Sequence, residues 1–376
     1  MESPLAPRHR ALGASWTRVA GADLPLHYGS PGAEVQKARR RVALADLSFR
    51  PKGEARGPDA AAFLHNLLAC DVRAVAPGAG CYGALLDSKG KMVADLHLWR
   101  IEEDRFLLDT EPESSGLPGR LGTFVLNSKV AVAPARMGHL HLLGPGAVEL
   151  LSRLGAGAPA KEHAHFAASV AGAEARVVRL SRYGVEGFDL LVPASGLEAL
   201  WEAFRRAGAQ PAGWQALETL RVEAGIPRFG AEMDAGTFPQ EARIEGRAVS
   251  FTKGCYPGQE TMARLKNLGH VNRLLAGLLL DGPAQAGALL HAEGKEAGRL
   301  TTACDSPTLG KSAGLAMVRQ EFARTGTRLQ IENGPGAVVA DLPLIPAAAT
   351  VPPRNPNRPE PNPVSRAERE SSGRFQ

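Results

Sequence analysis

Aromatic residues, cysteines and long apolar runs are all scarce in this sequence. Only 5% of the 376 residues are aromatic and four are cysteine, whereas 42 are glycine and 28 are proline. A membrane-spanning helix needs about 18 consecutive apolar residues, and no stretch approaches this length, so we expect no membrane span. The cysteines show no C-x-x-C spacing, which excludes a disulfide-rich scaffold, and the N-terminus lacks the apolar core of a secretory signal. We therefore expect a cytoplasmic protein.

Neither sign of charge dominates the chain. Lysine and arginine total 44 against 39 aspartates and glutamates, which gives a net charge of +5. A nucleic-acid groove typically shows a block of Lys and Arg with interleaved aromatics, and no such block is present. With 44% hydrophobic and 22% charged residues, the composition is that of a globular protein of two or three domains.

Helix and strand signals alternate without a strict βαβ rhythm, which predicts an α+β protein. Short apolar runs separated by Gly and Pro turns predict a small all-β module from residue 273 to 345. Six prolines and almost no apolar residues lie between Val351 and Pro363, so we predict that residues 347–376 are disordered. Helices are predicted after residues 57–59, at 197–204 and at 214–224, and strands at 105–109, 129–132 and 139–143.

Two pairs of histidines lie two residues apart, which puts both imidazoles of a pair on one face of an extended segment. A zinc site needs further Cys, His or carboxylate ligands at close spacing. None accompanies His139 and His141, or His163 and His165. We therefore expect no metal site, and we interpret these side chains as surface or hydrogen-bonded histidines.

One arginine lies on the apolar face of a predicted helix. The apolar residues of 214–224 define one arc, and Arg221 falls inside it. Burying a guanidinium is costly unless a carboxylate or phosphate pairs with it. Two explanations stay open: an internal salt bridge, for instance to Glu186 or Asp95, and a bound anion such as a glutamate-tailed cofactor.

The strongest functional signal is the octapeptide KGCYPGQE at residues 253–260, which Arg264 follows. Two glycines and a proline fix a turn around Cys255, and glycine permits a partner or ligand to approach the thiol closely. A lone cysteine is usually a small buried hydrophobe, but this polar setting favours a functional thiol. Lys253 and Arg264, if they lie nearby, would favour the reactive thiolate. An iron–sulfur cluster typically needs four protein ligands, so any metal role of Cys255 is shared with a partner or transient.

The octapeptide resembles the K-G-C-[FY]-x-G-Q-E signature of the YgfZ family, folate-binding proteins related to the glycine-cleavage T-protein (aminomethyltransferase). The resemblance extends over roughly residues 25 to 345. The further similar segments are Tyr82, GKMVAD at 90–95, LGP at 143–145, YGVEG at 183–187, RVEAGIPRFG at 221–230 and TFPQE at 237–241.

The resemblance implies a T-protein-like body over residues 20–270, built from two interleaved α+β subdomains around a central folate cleft. It implies a C-terminal β-barrel over residues 271–346 and tetrahydrofolate, or a derivative, as cofactor. Residue by residue, the implied cofactor-binding set is Tyr82, Asp95 beside the pterin, Glu186 as a pterin-binding carboxylate and Arg221 at the glutamate tail.

The function implied by the resemblance is that of an accessory factor for iron–sulfur protein maturation and for tRNA modification, with Cys255 as the working thiol. Its expected partners are the iron–sulfur assembly machinery or client iron–sulfur enzymes, with tRNA reached only indirectly. The alternative is a folate-dependent aminomethyltransferase or other one-carbon enzyme. That enzyme typically has two adjacent acids where this chain has Ala94-Asp95, and Asn-Ala where it has Asp109-Thr110. A third hypothesis, a binding module for tRNA or a tRNA-modifying enzyme, is disfavoured by the modest charge.

Overall fold

The computed structural model describes residues 3–346, except for the side chain of Leu268. The disordered tail predicted for residues 347–376 lies outside the described residues. Within the described part, no helix is long and apolar enough to cross a membrane.

Nine α-helices occur between residues 3 and 346. They are α1 (Ala6–Ala11), α2 (Pro31–Arg40), α3 (Ala60–Leu67), α4 (Leu117–Gly122), α5 (Ala147–Arg153), α6 (Leu197–Arg206), α7 (Trp214–Glu223), α8 (Glu245–Ala248) and α9 (Gln259–Leu268). The helices predicted after residues 57–59, at 197–204 and at 214–224 are confirmed as α3, α6 and α7.

The strands of the described chain fall into two sheets, a hairpin and a barrel. The first part of the chain contains β1 (Ser15–Val19), β2 (Ala22–His27), β3 (Ala43–Asp46), β4 (Lys52–Arg56), β5 (Gly80–Leu86), β6 (Met92–Glu102), β7 (Arg105–Thr110), β8 (Ala131–Ala135) and β9 (Gly138–Leu143). The middle part contains β10 (His165–Val170), β11 (Ala173–Arg179), β12 (Gly187–Val192) and β13 (Gln210–Pro211). The last part contains β14 (Arg273–Leu280), β15 (Leu289–Ala292), β16 (Lys295–Ser306), β17 (Lys311–Arg319), β18 (Arg328–Ile331) and β19 (Gly336–Ala340).

Sheet topology divides the body into two halves. A six-stranded sheet has the order β10-β11-β12-β9-β3-β13, and a five-stranded sheet has the order β5-β6-β7-β4-β8. All pairs are antiparallel except β13 with β3. Strands β14 to β19 close into a barrel in the order β14-β17-β16-β15-β18-β19. The predicted α+β fold with a C-terminal barrel is confirmed, whereas the domain boundaries at residues 270 and 346 stay predictions.

Each half of the body has its own apolar core. Strand β12 is buried along its whole length between β9 and β11, and Leu190 on it shares a core with Trp201 and Phe204 of α6. The apolar spacing of α6 therefore produces one buried face toward the six-stranded sheet. Helix α3 covers the five-stranded sheet in the same way, with Leu64 in a core that includes Leu96 of β6.

Helix α7 joins the body to the barrel. Val222 of α7 shares an apolar core with Leu275, Leu315 and Met317 of β14 and β17. The same helix carries Arg221 on the side that borders a cavity of the body. One ten-residue helix thus contacts both the barrel and the candidate site.

Candidate functional site

A cavity of about 450 Å³ opens where β5 and β6 face the loop between β11 and β12 and the helix α7. This volume is within the range of small-molecule sites. We call this cavity the cleft. Its lining residues are Arg50, Gly80, Cys81, Tyr82, Asp95, His97, Glu111, Glu162, His163, Leu180, Ser181, Arg182, Tyr183, Trp214, Glu218, Arg221, Ile226, Pro227, Arg228 and Arg247.

Asp95 and Tyr82 mark one side of the cleft. The Tyr82 hydroxyl donates a 2.7 Å hydrogen bond to Asp95 Oδ2, while Asp95 Oδ1 is buried and has no partner within the described residues. Burial, and after it the charge of Glu111, raises the pKa of Asp95 to about 6. The Arg247 guanidinium lies 4.8 Å from the centre of the Tyr82 ring. The structure therefore brings two of the predicted cofactor-binding residues together in the cleft.

Two histidines that the sequence did not single out for ligand binding lie beside this pair. The His97 ring centre is 5.2 Å from that of Tyr82 and 5.4 Å from that of His163. Burial, and after it the charge of Arg182, lowers the pKa of His163 to about 4 and that of His97 well below its ordinary value. Both Nδ1 atoms lack a partner among the described residues. The cleft thus presents two neutral imidazoles.

A buried network of charges reaches the cleft through Arg50 and Arg182. Arg182 contacts Asp109 at 2.6 Å and Asp189 at 2.7 Å, and Asp109 also pairs with Arg50 at 3.0 Å and Lys52 at 2.9 Å. Burial disfavours the charged carboxylate, but the three cations outweigh it and hold the pKa of Asp109 well below its usual range. The sequence pattern did not reveal this network. The sequence feature that could have indicated it is an acidic residue inside each of the apolar strands β7 and β12.

Three of the four histidines in the predicted pairs, His139, His141 and His165, belong to the interior. Asp189 Oδ1 lies 2.7 Å from His141 Nδ1 and 3.0 Å from His139 Nε2, and all three side chains are buried. His165 Nε2 lies 3.2 Å from the Ala79 carbonyl oxygen. Residues 3–346 contain no group of three His, Cys, Asp or Glu side chains that could hold a metal ion. His139 and His141 therefore orient Asp189 and are not surface residues.

Arg221 lines the cleft, with 2% of the residue exposed, and is completely paired. Glu218 accepts two hydrogen bonds of 2.7 Å, from Nε and Nη2, and Glu232 accepts one of 2.8 Å. Nη1 also donates to the Ile226 carbonyl and Nη2 to Thr302 Oγ1. All five guanidinium donors are thereby used. The carboxylate partner expected from the helical arc is present, but it is Glu218 and Glu232 rather than Glu186 or Asp95.

Glu186 is not among the residues that line the cleft. It is half-buried and forms an ion pair with Arg179. The lining carboxylate nearest in sequence is Glu162, which accepts a 2.7 Å hydrogen bond from the main-chain N–H of Ser181. The pterin-binding role of Glu186 stays a prediction, and Asp189 is the buried acid of the same segment.

The octapeptide forms an anchored loop with an exposed thiol. Cys255 is exposed, and it does not belong to the residues lining the cleft. The Lys253 ammonium is buried and donates to the main-chain carbonyls of His65, Leu68 and Cys70, at 2.5 Å for Leu68 and 3.1 Å for Cys70. Lys253 therefore anchors this loop to the segment that follows α3.

Gly258 ends the loop at the start of α9, and Arg264 lies within that helix. Gly258 has φ +80°, and a Cβ on it would lie 2.6 Å from the Asp87 carbonyl oxygen and 2.7 Å from Gly90 Cα. Glycine is thus required where the loop packs on the turn between β5 and β6. Arg264 is exposed on α9. The influence predicted for Lys253 and Arg264 on the thiol stays a prediction.

The chain is similar to known proteins along the segments that contain the cleft and the barrel. Residues 5–253 match the family model of the GCVT N-terminal domain, and residues 273–345 match that of the glycine cleavage T-protein C-terminal barrel domain. An aminomethyltransferase of Saccharopolyspora erythraea is 30% identical over 366 residues, which is 92% of this chain and 97% of that protein. An aminomethyltransferase of Geobacillus kaustophilus is 33% identical over 344 residues, 88% of this chain and 93% of that protein.

The chain belongs to the glycine cleavage T-protein family.

The fold agrees with this membership. The crystal structure of the glycine cleavage system aminomethyltransferase T from Bartonella henselae matches with a TM-score of 0.85, over 92% of this chain and 98% of that one, at 24% identity. Every lining residue of the cleft lies within the segment that matches the N-terminal T-protein domain. Cys255 and α9 lie between the two matched segments. The narrower resemblance to the YgfZ branch rests on the octapeptide and stays a prediction.

Proposed function

We propose that the cleft binds a tetrahydrofolate and that this chain transfers a one-carbon unit to or from it, in keeping with the name aminomethyltransferase that its relatives carry. Those relatives are 30% and 33% identical over most of their length. The proposal rests on the environment of the Asp95 carboxyl group at the cleft. Its Oδ1 is buried at the cleft without a partner within the described residues, and its pKa of about 6 lets it hold or release a proton near neutral pH.

The residues of the cleft fit a folate. A pterin ring presents an N–H edge that suits a carboxylate, and Asp95 Oδ1 and Glu111 Oε2 are buried acceptors without partners among the described residues. The p-aminobenzoyl ring needs apolar or aromatic surface, which Trp214 and Ile226 supply in the lining. A bound tetrahydrofolate supplies the nitrogen atoms that carry the one-carbon unit.

The glutamate tail requires a cation with a free donor. Arg221 has no donor left, because Glu218, Glu232 and neighbouring oxygens take all five. Arg228 lines the cleft beside it, with its guanidinium 5.1 Å from the centre of the Trp214 ring. Its Nη1 donates to Glu113 at 2.9 Å, whereas its Nε, 3.5 Å from Glu218, has no hydrogen-bond partner among the described residues. We propose that Arg221 holds Glu218 in place and that Arg228 contacts the tail.

The absence of a second acid at Ala94 does not weaken the proposal. Successive residues of a strand face opposite sides of the sheet. Ala94 is 1% exposed in the apolar core beneath α3, whereas Asp95 faces the cleft. An acid at position 94 would lie in that core. This part of β6 therefore presents one carboxylate to the cleft, whether position 94 is alanine or an acid.

Asp95→Asn tests the proposal. The amide keeps the size of the side chain and cannot hold the proton. We expect tetrahydrofolate binding, measured by calorimetry, to weaken by no more than about tenfold. Formation of methylenetetrahydrofolate from an aminomethylated lipoyl carrier should fall by about 100-fold or more. Glu174→Gln, an exposed carboxylate of β11, is the matched control and should match wild type. A wild-type protein that does not bind tetrahydrofolate, or an Asp95→Asn protein with full turnover, would contradict the proposal.

A second candidate function is favoured by the exposed thiol of Cys255 on its anchored loop. Here the protein binds folate without transferring a one-carbon unit, and it assists iron–sulfur enzymes, and through them tRNA modification, as the YgfZ resemblance implies. Wild-type protein that binds tetrahydrofolate but yields no methylenetetrahydrofolate would support this candidate. The activity of a four-iron enzyme would then be measured in cells lacking the gene. If wild type restores this activity and Cys255→Ser does not, the role belongs to the thiol.

A further inference from the structure

Two cysteines that lie outside the octapeptide form a close pair. The sulfur atoms of Cys70 and Cys81 are 3.6 Å apart, although the residues are 11 positions apart in sequence. Cys70 is buried and Cys81 is partly exposed. Neither thiol has a part in the folate proposal, and no spacing motif marks them.

The fold places these thiols together through a short antiparallel contact. Leu68 pairs with Leu85 of β5, and the Ala69 N–H donates a 2.8 Å hydrogen bond to the Ala84 carbonyl. This register puts residue 70 opposite Gly83, so Cys81 is its diagonal neighbour on the same face of the strand. Cys70 accordingly belongs to the apolar core under α3, and the partly buried Cys81 packs against this core.

Gly83 makes room for the pair. A Cβ at position 83 would lie 2.4 Å from Cys70 Sγ, which is too close for any real side chain. The absence of a side chain at this position lets the Cys70 thiol lie flat over β5 and reach Cys81. The sulfurs must come closer by roughly 1.5 Å to reach the disulfide bond length of about 2.05 Å, and no side chain of Gly83 opposes that movement.

A hydrogen bond and a nearby charge favour a thiolate on Cys70, although burial acts against it. The S–H of Cys81 donates a hydrogen bond to Cys70 Sγ, and this bond lowers the pKa of Cys70. The Lys253 ammonium, 3.1 Å from the Cys70 carbonyl oxygen, adds a positive charge nearby. Low-pKa thiols beside a second thiol are typical of redox-active sites. A metal site is not indicated, since residues 3–346 contain no group of three ligating side chains here or elsewhere.

We propose that Cys70 and Cys81 are a redox-active pair which a small hydroperoxide oxidises to a reversible intrachain disulfide. The pair is separate from the exposed Cys255 thiol. Cys81 lines the cleft, but the oxidation consumes no folate.

The reaction balances with hydrogen peroxide as the oxidant. The Cys70 thiolate attacks one peroxide oxygen, the O–O bond breaks, and the departing hydroxide becomes water by taking up a proton. Cys70 is then a sulfenic acid. The Cys81 sulfur attacks the Cys70 sulfur, the S–O bond breaks, and the S–S bond forms as a second water leaves. Two thiols lose two electrons and two hydrogens in total, and one peroxide is reduced to two waters.

The test uses the full chain with Cys255→Ser and Cys304→Ser, so that only the pair remains. One equivalent of hydrogen peroxide should remove two hydrogen atoms from the intact mass, and peptide mapping should show a Cys70–Cys81 link. Because the fold holds the sulfurs together, the link should form at least about tenfold faster in the folded protein than in urea. Dithiothreitol should restore the original mass.

Single variants identify the two steps. Cys81→Ser should stop at a sulfenic acid on Cys70, which a dimedone probe captures, and Cys70→Ser should leave the Cys81 thiol largely unoxidised. Gly83→Ala, which pushes on the Cys70 sulfur, should slow disulfide formation. Two thiols that stay fully alkylatable after peroxide treatment of the folded protein would overturn the proposal. A link that forms only in urea would overturn it as well.

Discussion

At the scale of single residues, His163 combines backbone strain with an unusual protonation state. Its φ of +61° lies in the left-handed region, which costs a residue with a Cβ roughly 1–2 kcal/mol. This conformation brings the imidazole to 5.4 Å from His97 at the cleft. Burial is the main reason that its pKa is about 4. The strained conformation therefore places a neutral hydrogen-bonding group at the cleft.

The low pKa of His163 predicts a specific dependence of stability on pH. The folded value of about 4 lies below the ordinary value of 6.5, so the unfolded chain binds the proton first as the pH falls. Stability is therefore lost from about pH 6.5 downward, and the loss is complete near pH 4. His163→Asn removes this titration and keeps a residue that tolerates left-handed backbone.

Urea unfolding at pH 7 and pH 5 measures the effect. The loss of unfolding free energy between these two pH values should be about 2 kcal/mol smaller for His163→Asn than for wild type. Equal losses in both proteins would show that the folded protein does not depress the pKa of His163.

Some site residues were accessible from sequence and others were not. Asp95 and Tyr82 entered through a family resemblance, and the structure joins them by a 2.7 Å hydrogen bond. The helical arc of α7 indicated that Arg221 needs a carboxylate, but it could not name Glu232, because that acid lies in the irregular segment beyond the helix. Asp189 depends on an arginine and two histidines from other segments, and sequence spacing does not reveal such contacts.

At the scale of elements, the Cys255 loop depends on the C-terminal end of α3. A helix end leaves carbonyl oxygens without intrahelical partners, and the Lys253 ammonium satisfies those of His65 and Leu68 together with that of Cys70. The helices α3, α6 and α7 could be predicted because their apolar spacing is local. The contact of Lys253 could not, because its acceptors are main-chain oxygens that every residue type carries.

Lys253→Met should destabilise the protein and loosen the loop. Methionine keeps much of the length of the side chain, but it leaves three carbonyl oxygens without their donor. We expect a loss of about 3 kcal/mol in unfolding free energy, with faster hydrogen exchange in residues 65–70. Lys89→Met, at an exposed position in the turn after β5, should leave both quantities unchanged. A stable Lys253→Met protein with unchanged exchange would show that the ammonium does not anchor the loop.

At the scale of the whole molecule, buried polar contacts connect the barrel to the cleft. Glu232 accepts hydrogen bonds from Arg221 at 2.8 Å, from Thr302 at 2.6 Å and from Thr301 at 3.0 Å. Thr301 and Thr302 belong to the barrel strand β16, whereas Arg221 lines the cleft. The barrel therefore helps to orient an arginine at the ligand site.

This connection predicts that a change at Glu232 affects both stability and ligand binding. Glu232→Gln keeps the shape but removes the charge opposite a fully buried guanidinium, and breaking a buried ion pair costs about 3 kcal/mol or more. Urea unfolding should show that loss. If Arg221 then turns toward the cleft, calorimetry should show altered tetrahydrofolate affinity even though Glu232 itself is not among the lining residues. Glu321→Gln, on an exposed acid next to the barrel, is the control and should change neither quantity. Loss of stability with unchanged affinity would mean that the barrel supports only the fold and not the ligand site. Glu218 would then be sufficient to hold Arg221 at the cleft.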